Sequence, residues 1–162
     1  MERKLGRPME QQSEERVQQF EEKVLNVRRV STKRQGGAAY HFSALAVFGD
    51  RSGRVGIGIA KSKENMVAMK KAINRAKRDV FDVPITTNGS IPHEVTSKHG
   101  ASKLFMKPAP DGAGIIAGSS VRQIFELAGI RNISAKVIGS TNQINNAYAT
   151  VDALKKLRIV IK

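Results

Sequence analysis

The first periodic signal along this chain is helical: Val17, Phe20 and Val24 recur three or four residues apart, Ser13 stands where an N-cap belongs, and Glu14 and Glu15 fill the first turn. The spacing predicts a short helix. Residues 1–12 ahead of it are polar without periodicity and read as a flexible arm. The period then changes. Residues 25–31 mix β-branched residues with arginines, residues 32–39 collect breakers, and residues 40–48 alternate small or polar positions with Phe42 and Leu45, so the reading is strand, loop, strand. Gly49-Asp50-Arg51-Ser52-Gly53 has hairpin chemistry, because Gly and Asp tolerate positive φ. Residues 54–59 form a third strand whose Gly56 and Gly58 leave one face bare, so that another backbone can come close. From residue 65 to 80 the helical period returns on Met66, Met69, Ile73, Ala76 and Val80, with Lys70, Lys71, Arg75, Lys77 and Arg78 largely elsewhere around the axis.

Residues 81–90 contain Pro84, Asn88 and Gly89 and lose periodicity, which places a boundary there. Beyond it, residues 92–98 and 102–107 read as two strands around a His99-Gly100 turn, followed by a loop over 108–114. Ser119 or Ser120 can cap a helix carrying Val121, Ile124, Phe125 and Leu127 that Gly129 closes as a C′ glycine. A strand over 133–138 and a helix over 144–157 complete the chain. The expected class is α+β: an α-β-β-β-α domain at 13–83, a linker at 84–91 and a β-β-α-β-α domain at 92–162.

Charge sharpens this picture. The net charge of +14 calls for a polyanionic partner, and it is unevenly placed: residues 1–22 carry a net −2, residues 23–83 a net +10 and residues 84–162 a net +6. The basic footprint starts where the folded pattern starts. No apolar run of membrane-spanning length or secretory signal is present, and zero Cys fits a reducing compartment, so an intracellular protein with no membrane partner is expected. Aromatics at 5% without Trp disfavour a stacking mode and favour phosphate contacts.

Catalytic chemistry is missing. His93, Glu94 and His99 fall short of a zinc-protease motif, because the second His comes six residues after the first on a strand, and no metal site is expected. Gly112, Gly114 and Gly118 lack dinucleotide spacing, and Gly53, Gly56 and Gly58 lack every other kinase element, so no cofactor or small-molecule substrate is expected. Binding chemistry is present instead. Lys33 and Arg34 lie beside Gly36 and Gly37, where the backbone can turn sharply and present cations to phosphate, with Arg28 and Arg29 in the adjoining strand. The α-β-β-β-α order with a basic second helix is also the layout of double-stranded-RNA-binding domains.

Specific motifs carry the reading further. K-V-L-N-V-R-R-V-S at 23–31, G-G-A-A-Y-H-F-S-A-L at 36–45 and V-F-G-D-R-S-G-R-V-G-I-G at 47–58 are followed in order by S-I-P-H-E-V at 90–95, K-P-A at 107–109, the glycines of 112–118 and A-K-V-I-G-S-T-N-Q-I-N at 135–145. Together they resemble the S-five ribosomal protein family of the bacterial-type small subunit, over about residues 20–158. The resemblance implies a double-stranded-RNA-binding-like first domain and a second domain with a left-handed crossover, an exception to the usual hand. It implies a structural constituent of the small ribosomal subunit, not an enzyme, on a cytoplasmic or organellar ribosome. Small-subunit rRNA, the neighbours S-four and S-eight, and mRNA near the entry channel would be its partners, with roles in assembly and decoding accuracy. Arg28, Arg29, Lys33, Arg34, Gly36 and Gly37 would contact RNA, joined by Arg51, Arg54, Lys61, Lys70 and Lys71. Lys103, Lys107, Pro108, Asp111, Gly112 and Arg122 would form a protein-facing surface. Departures from the usual pattern are Ala38, Ala39 and His41 for arginines and a serine, Arg51 for a glycine, and Gln143 for a proline.

Overall fold

The computed structural model describes residues 20–158. The chain runs β1 (Glu21–Arg34), β2 (Gly37–Gly49), β3 (Arg54–Ser62), α1 (Asn65–Arg78), β4 (Phe81–Asp82), β5 (Val95–His99), β6 (Ser102–Pro108), β7 (Ile115–Ile116), α2 (Ser119–Ala128), β8 (Ile133–Gly139) and α3 (Gln143–Lys155). Two four-stranded sheets result, ordered β1-β2-β3-β4 and β5-β6-β8-β7. Every neighbouring pair is antiparallel except β7 and β8, which run parallel on either side of α2 as a β-α-β unit. The class is α+β, as the pattern predicts. The two-residue strands β4 and β7 are too short for any alternation to announce them.

Strand β2 organises the first sheet. Its side chains alternate: Ala44 and Ala46 face α1, while Leu45 and Val47 face the second half of the chain. Both faces are therefore covered. On the α1 side the fit is close, because a Cβ at Gly56 or Gly58 would overlap the carbonyl oxygens of Ala76 and Ala72. That closeness selects which face of α1 is buried. Ala68, Ala72 and Ala76 are buried, Met69 and Ile73 flank them, and Met66 stays 62% exposed, although hydropathy places it on the apolar stripe. Small side chains win because backbones in near contact leave no room for a methionine.

Two expectations near the start are corrected. Residues 21–24, placed at the end of a helix, are strand, because Glu21 to Val24 pair with Gly49 to Ala46; tertiary pairing overrides a weak local period. The remainder of that helix, and the arm at 1–12, lie outside the described residues. Phe20 stacks on Phe48 with centroids 4.8 Å apart, so its apolar role is real but belongs to the sheet. Residues 32–39, expected as a loop, are nearly all strand: Arg34 pairs with Gly37, leaving Gln35 and Gly36 as the turn. Gly36 at φ 93° and Gly37 at φ 139° supply the reversal in two residues rather than eight.

The turn between β2 and β3 also differs from expectation. Positive φ falls on Arg51 (55°) and Gly53 (105°), not on Gly49 or Asp50. Asp50 is buried and acts as a clamp, its Oδ1 accepting from Ser52 N at 2.8 Å and Arg54 N at 3.0 Å. Arg51 stands in the left-handed region, a conformation that glycine adopts most readily. It is held by a backbone hydrogen bond to Leu127 O at 2.9 Å and an ion pair with Glu21 at 2.8 Å.

In the second sheet Leu104 and Met106 turn toward the helices, and they share one contiguous core with Leu45, Val47, Val55 and Ile57 of the first sheet and with Ile124, Phe125 and Leu154. The halves are packed into each other. Helix α2 starts at Gly118 without a side-chain cap, contrary to the serine expectation, and Ser120 is buried instead. Its end is as expected, with Gly129 at φ 87° and Ile130 N donating to Phe125 O. Helix α3 is capped by the Asn142 side chain, so Gln143 occupies the first helical position, where proline is also well tolerated.

Candidate nucleic-acid interface

Strand β3 pairs with β2 only as far as Phe42, so the β1–β2 hairpin continues alone past that point. Five further pairs, Val30 with His41 through Arg34 with Gly37, form a free two-stranded arm, reaching about 17 Å at roughly 3.4 Å per residue. Its register sorts the cations. Arg29 and Lys33 share the α1 face with Tyr40 and Phe42, whereas Arg28 and Arg34 point to the opposite face. The arm therefore carries positive charge on both faces. Among the described residues Arg28, Lys33 and Arg34 form no ion pair. The Arg29 guanidinium lies over the Tyr40 ring at 4.0 Å, an aromatic contact the sequence reading did not include and which the hairpin register alone brings together.

At the arm's base Arg28, Ser43 and Lys61 form one row across β1, β2 and β3, which puts two cations on one face about 10 Å apart at roughly 4.8 Å per strand. Helix α1 starts beside this base and exposes Lys70 and Lys71 along its outer side. Arg75 and Lys77, also exposed, are engaged by the fold instead. Arg75 Nη1 donates to Ile59 O at 2.7 Å, and Lys77 pairs with Glu22.

Arg51 and Arg54 are not part of this assembly. They lie at the other end of the sheet, Arg51 paired with Glu21 and Arg54 with Asp82 at 3.4 Å. Arg51 lines a concavity of about 430 Å³ with Arg122, Glu126 and Arg131, at the seam between the two halves. Of the expected protein-facing residues, Arg122 is in this concavity, paired with Glu126 at 3.0 Å. Asp111 and Gly112 sit in the exposed loop before β7, tied to the body by the buried Asn132, whose side chain donates to Asp111 Oδ1 and Asn88 O and accepts from Gly114 N. Lys103, Lys107 and Pro108 stand apart from both, on β6.

His93 and His99 serve structure. The Nδ1–H of His93 donates to Glu94 O and its Nε2 accepts from Arg158 N, while His99 pairs with Asp152 at 2.9 Å and stacks on Tyr148. Among the described residues no cluster of acids and histidines could hold a metal ion, and no helix is long and apolar enough to cross a membrane.

Comparison with known proteins matches both halves of the chain. Residues 20–84 match the family described as "Ribosomal protein S5, N-terminal domain" and residues 97–161 that described as "Ribosomal protein S5, C-terminal domain". The chain is similar to proteins named "Small ribosomal subunit protein uS5": 49% identical to that of Thermotoga maritima over 86% of this chain and 78% of the relative. It is 49% identical to that of Thermus thermophilus over 86% and 85%, and 45% identical to that of Wigglesworthia glossinidia brevipalpis over 90% and 87%.

Proposed function

The chain belongs to the ribosomal protein S5 family, and from that premise we propose that the β1–β2 arm and the outer side of α1 anchor it to small-subunit rRNA. The family is one of structural ribosomal proteins and not of enzymes. One observation carries the reading: the arm leaves the body with cations on both faces that form no ion pair among the described residues. A solvated charged hairpin without a partner would lose conformational freedom for little return, whereas an arm entering between RNA segments meets phosphate on either side. The seam concavity with Arg122 and the loop holding Asp111 and Gly112 are richer in shaped backbone than in free cations, which suits neighbouring ribosomal proteins such as S-four and S-eight. Assembly, decoding accuracy and contact with mRNA near the entry channel follow as consequences of that placement.

The test is Lys33→Ala with Arg34→Ala in the full chain, measured by filter binding to transcribed small-subunit rRNA across a salt series. Two lost phosphate contacts should lower the slope of log affinity against log salt by about two. Both side chains are exposed, so thermal stability should change by less than about 0.5 kcal/mol. An unchanged slope would reject the arm as the anchor.

A further inference from the structure

Among the described residues the second sheet, unlike the first, has one open face. Leu104 and Met106 bury the side that meets the helices, and alternation turns Lys98, Lys103, Phe105, Lys107, Lys136 and Ile138 to the other. The register makes this face unusual. Lys98 stands directly opposite Lys103, and Lys136, opposite Phe105, is the diagonal neighbour of both Lys103 and Lys107. Directly opposed like charges oppose sheet formation, so nothing within the fold favours this placement. Strands β5, β6 and β8 carry no carboxylate, and none of the four lysines has an ion pair or hydrogen bond among the described residues.

We infer that this face is a second RNA-binding surface, which takes the phosphate backbone of a folded RNA across the lysines with Phe105 and Ile138 as the apolar floor. The inference rests on the reading of the protein as rRNA-bound and adds a contact remote from the arm. A protein partner fits less well, because lysine is depleted from protein–protein interfaces and four unpaired lysines would need four carboxylates in return. For RNA the same spacing is an advantage, since each lysine releases a condensed counterion on meeting a phosphate. Lys103 and Lys107, expected at a protein interface, are reassigned to RNA.

The triple variant Lys98→Gln, Lys103→Gln, Lys136→Gln tests this in the full chain against transcribed small-subunit rRNA. The salt slope should fall by about three, one for each lysine. The melting temperature should hold or rise, because the opposed charges are gone; a merely structural role for these lysines predicts that it falls. An unchanged slope overturns the surface, and if Lys33→Ala with Arg34→Ala lowers the slope in the same assay, the arm reading survives that failure. A photocrosslinking residue at Ile138 in assembled subunits separates the partners: crosslinks to RNA support the inference, and crosslinks to protein alone overturn it.

Discussion

The two ends of β2 begin from similar chemistry and finish differently. At one end Lys33-Arg34-Gln35-Gly36-Gly37 and at the other Gly49-Asp50-Arg51-Ser52-Gly53 each combine cations with glycines and reverse the chain. The first stands free: a Cβ at Gly36 or Gly37 would meet nothing within 4 Å. The second is pressed into α2, with Arg51 N and Gly53 N donating to Leu127 O and Ala128 O, and a Cβ at Gly49 or Gly129 would overlap the backbone across the seam. Composition cannot separate the two turns. What separates them is whether another backbone arrives, and that decides whether an arginine is available to a ligand or spent on the fold.

The largest expected effect breaks the seam. Gly129→Ala places a Cβ on the Arg51 carbonyl at a residue held at φ 87°. Overpacking against backbone and left-handed strain each cost about 1 to 3 kcal/mol, so a loss of about 3 kcal/mol or more is expected in chemical denaturation. A loss under about 1 kcal/mol would mean that the turn can retreat and that the two ends of β2 differ less than their geometry indicates.

Much of this contrast was open to sequence reasoning, and the part that was not has a physical cause. The glycines of β3 signalled a close backbone, and they are where α1 lies. Hydropathy could not signal that closeness would bury alanines and leave Met66 outside. Breakers at 32–39 marked a reversal but not its length, since two glycines at positive φ do the work of a loop. Arm cations were identifiable because charge beside glycine survives any register. The commitments of Arg51 and Arg54 were not, because Glu21 lies 30 residues from Arg51 and Asp82 pairs through a two-residue strand. The lysine face was hidden for the same reason: Lys98 and Lys103 become opposite only once the His99–Ser102 pairing is known.

A smaller effect sharpens the free end. Gly36→Ala meets no atoms but must adopt φ 93°, so the cost is left-handed strain alone, about 1 to 2 kcal/mol. Because β3 does not extend along the arm, that strain should be relieved locally by opening the terminal pairs. Hydrogen exchange should rise at residues of the arm while the core amides keep their protection, and RNA affinity should fall with the arm's order. Uniform loss of protection throughout the sheet would show that the arm and the body fold as one unit.

The smallest effect uses the two tyrosines, one on the free arm and one in the packed body. Tyr40 lies on the arm under Arg29, and Tyr148 lies on α3 where it faces Asp79 and Arg75 at the end of α1. Burial, reinforced by the Asp79 carboxylate and opposed by Arg75, raises the Tyr148 pKa above its ordinary value of 10.0. The folded state therefore holds this proton more tightly than the unfolded chain does. Its contribution to stability is complete below about pH 10, the unfolded value, and is lost as pH rises through the higher folded value. In a Tyr40→Phe background the remaining phenol should titrate above pH 10 by ultraviolet difference absorbance. Adding Tyr148→Phe should flatten the fall in denaturation free energy that accompanies that titration. A midpoint at or below the ordinary tyrosine value would mean that solvent reaches Tyr148 freely, and that this edge of the seam is as open as the arm.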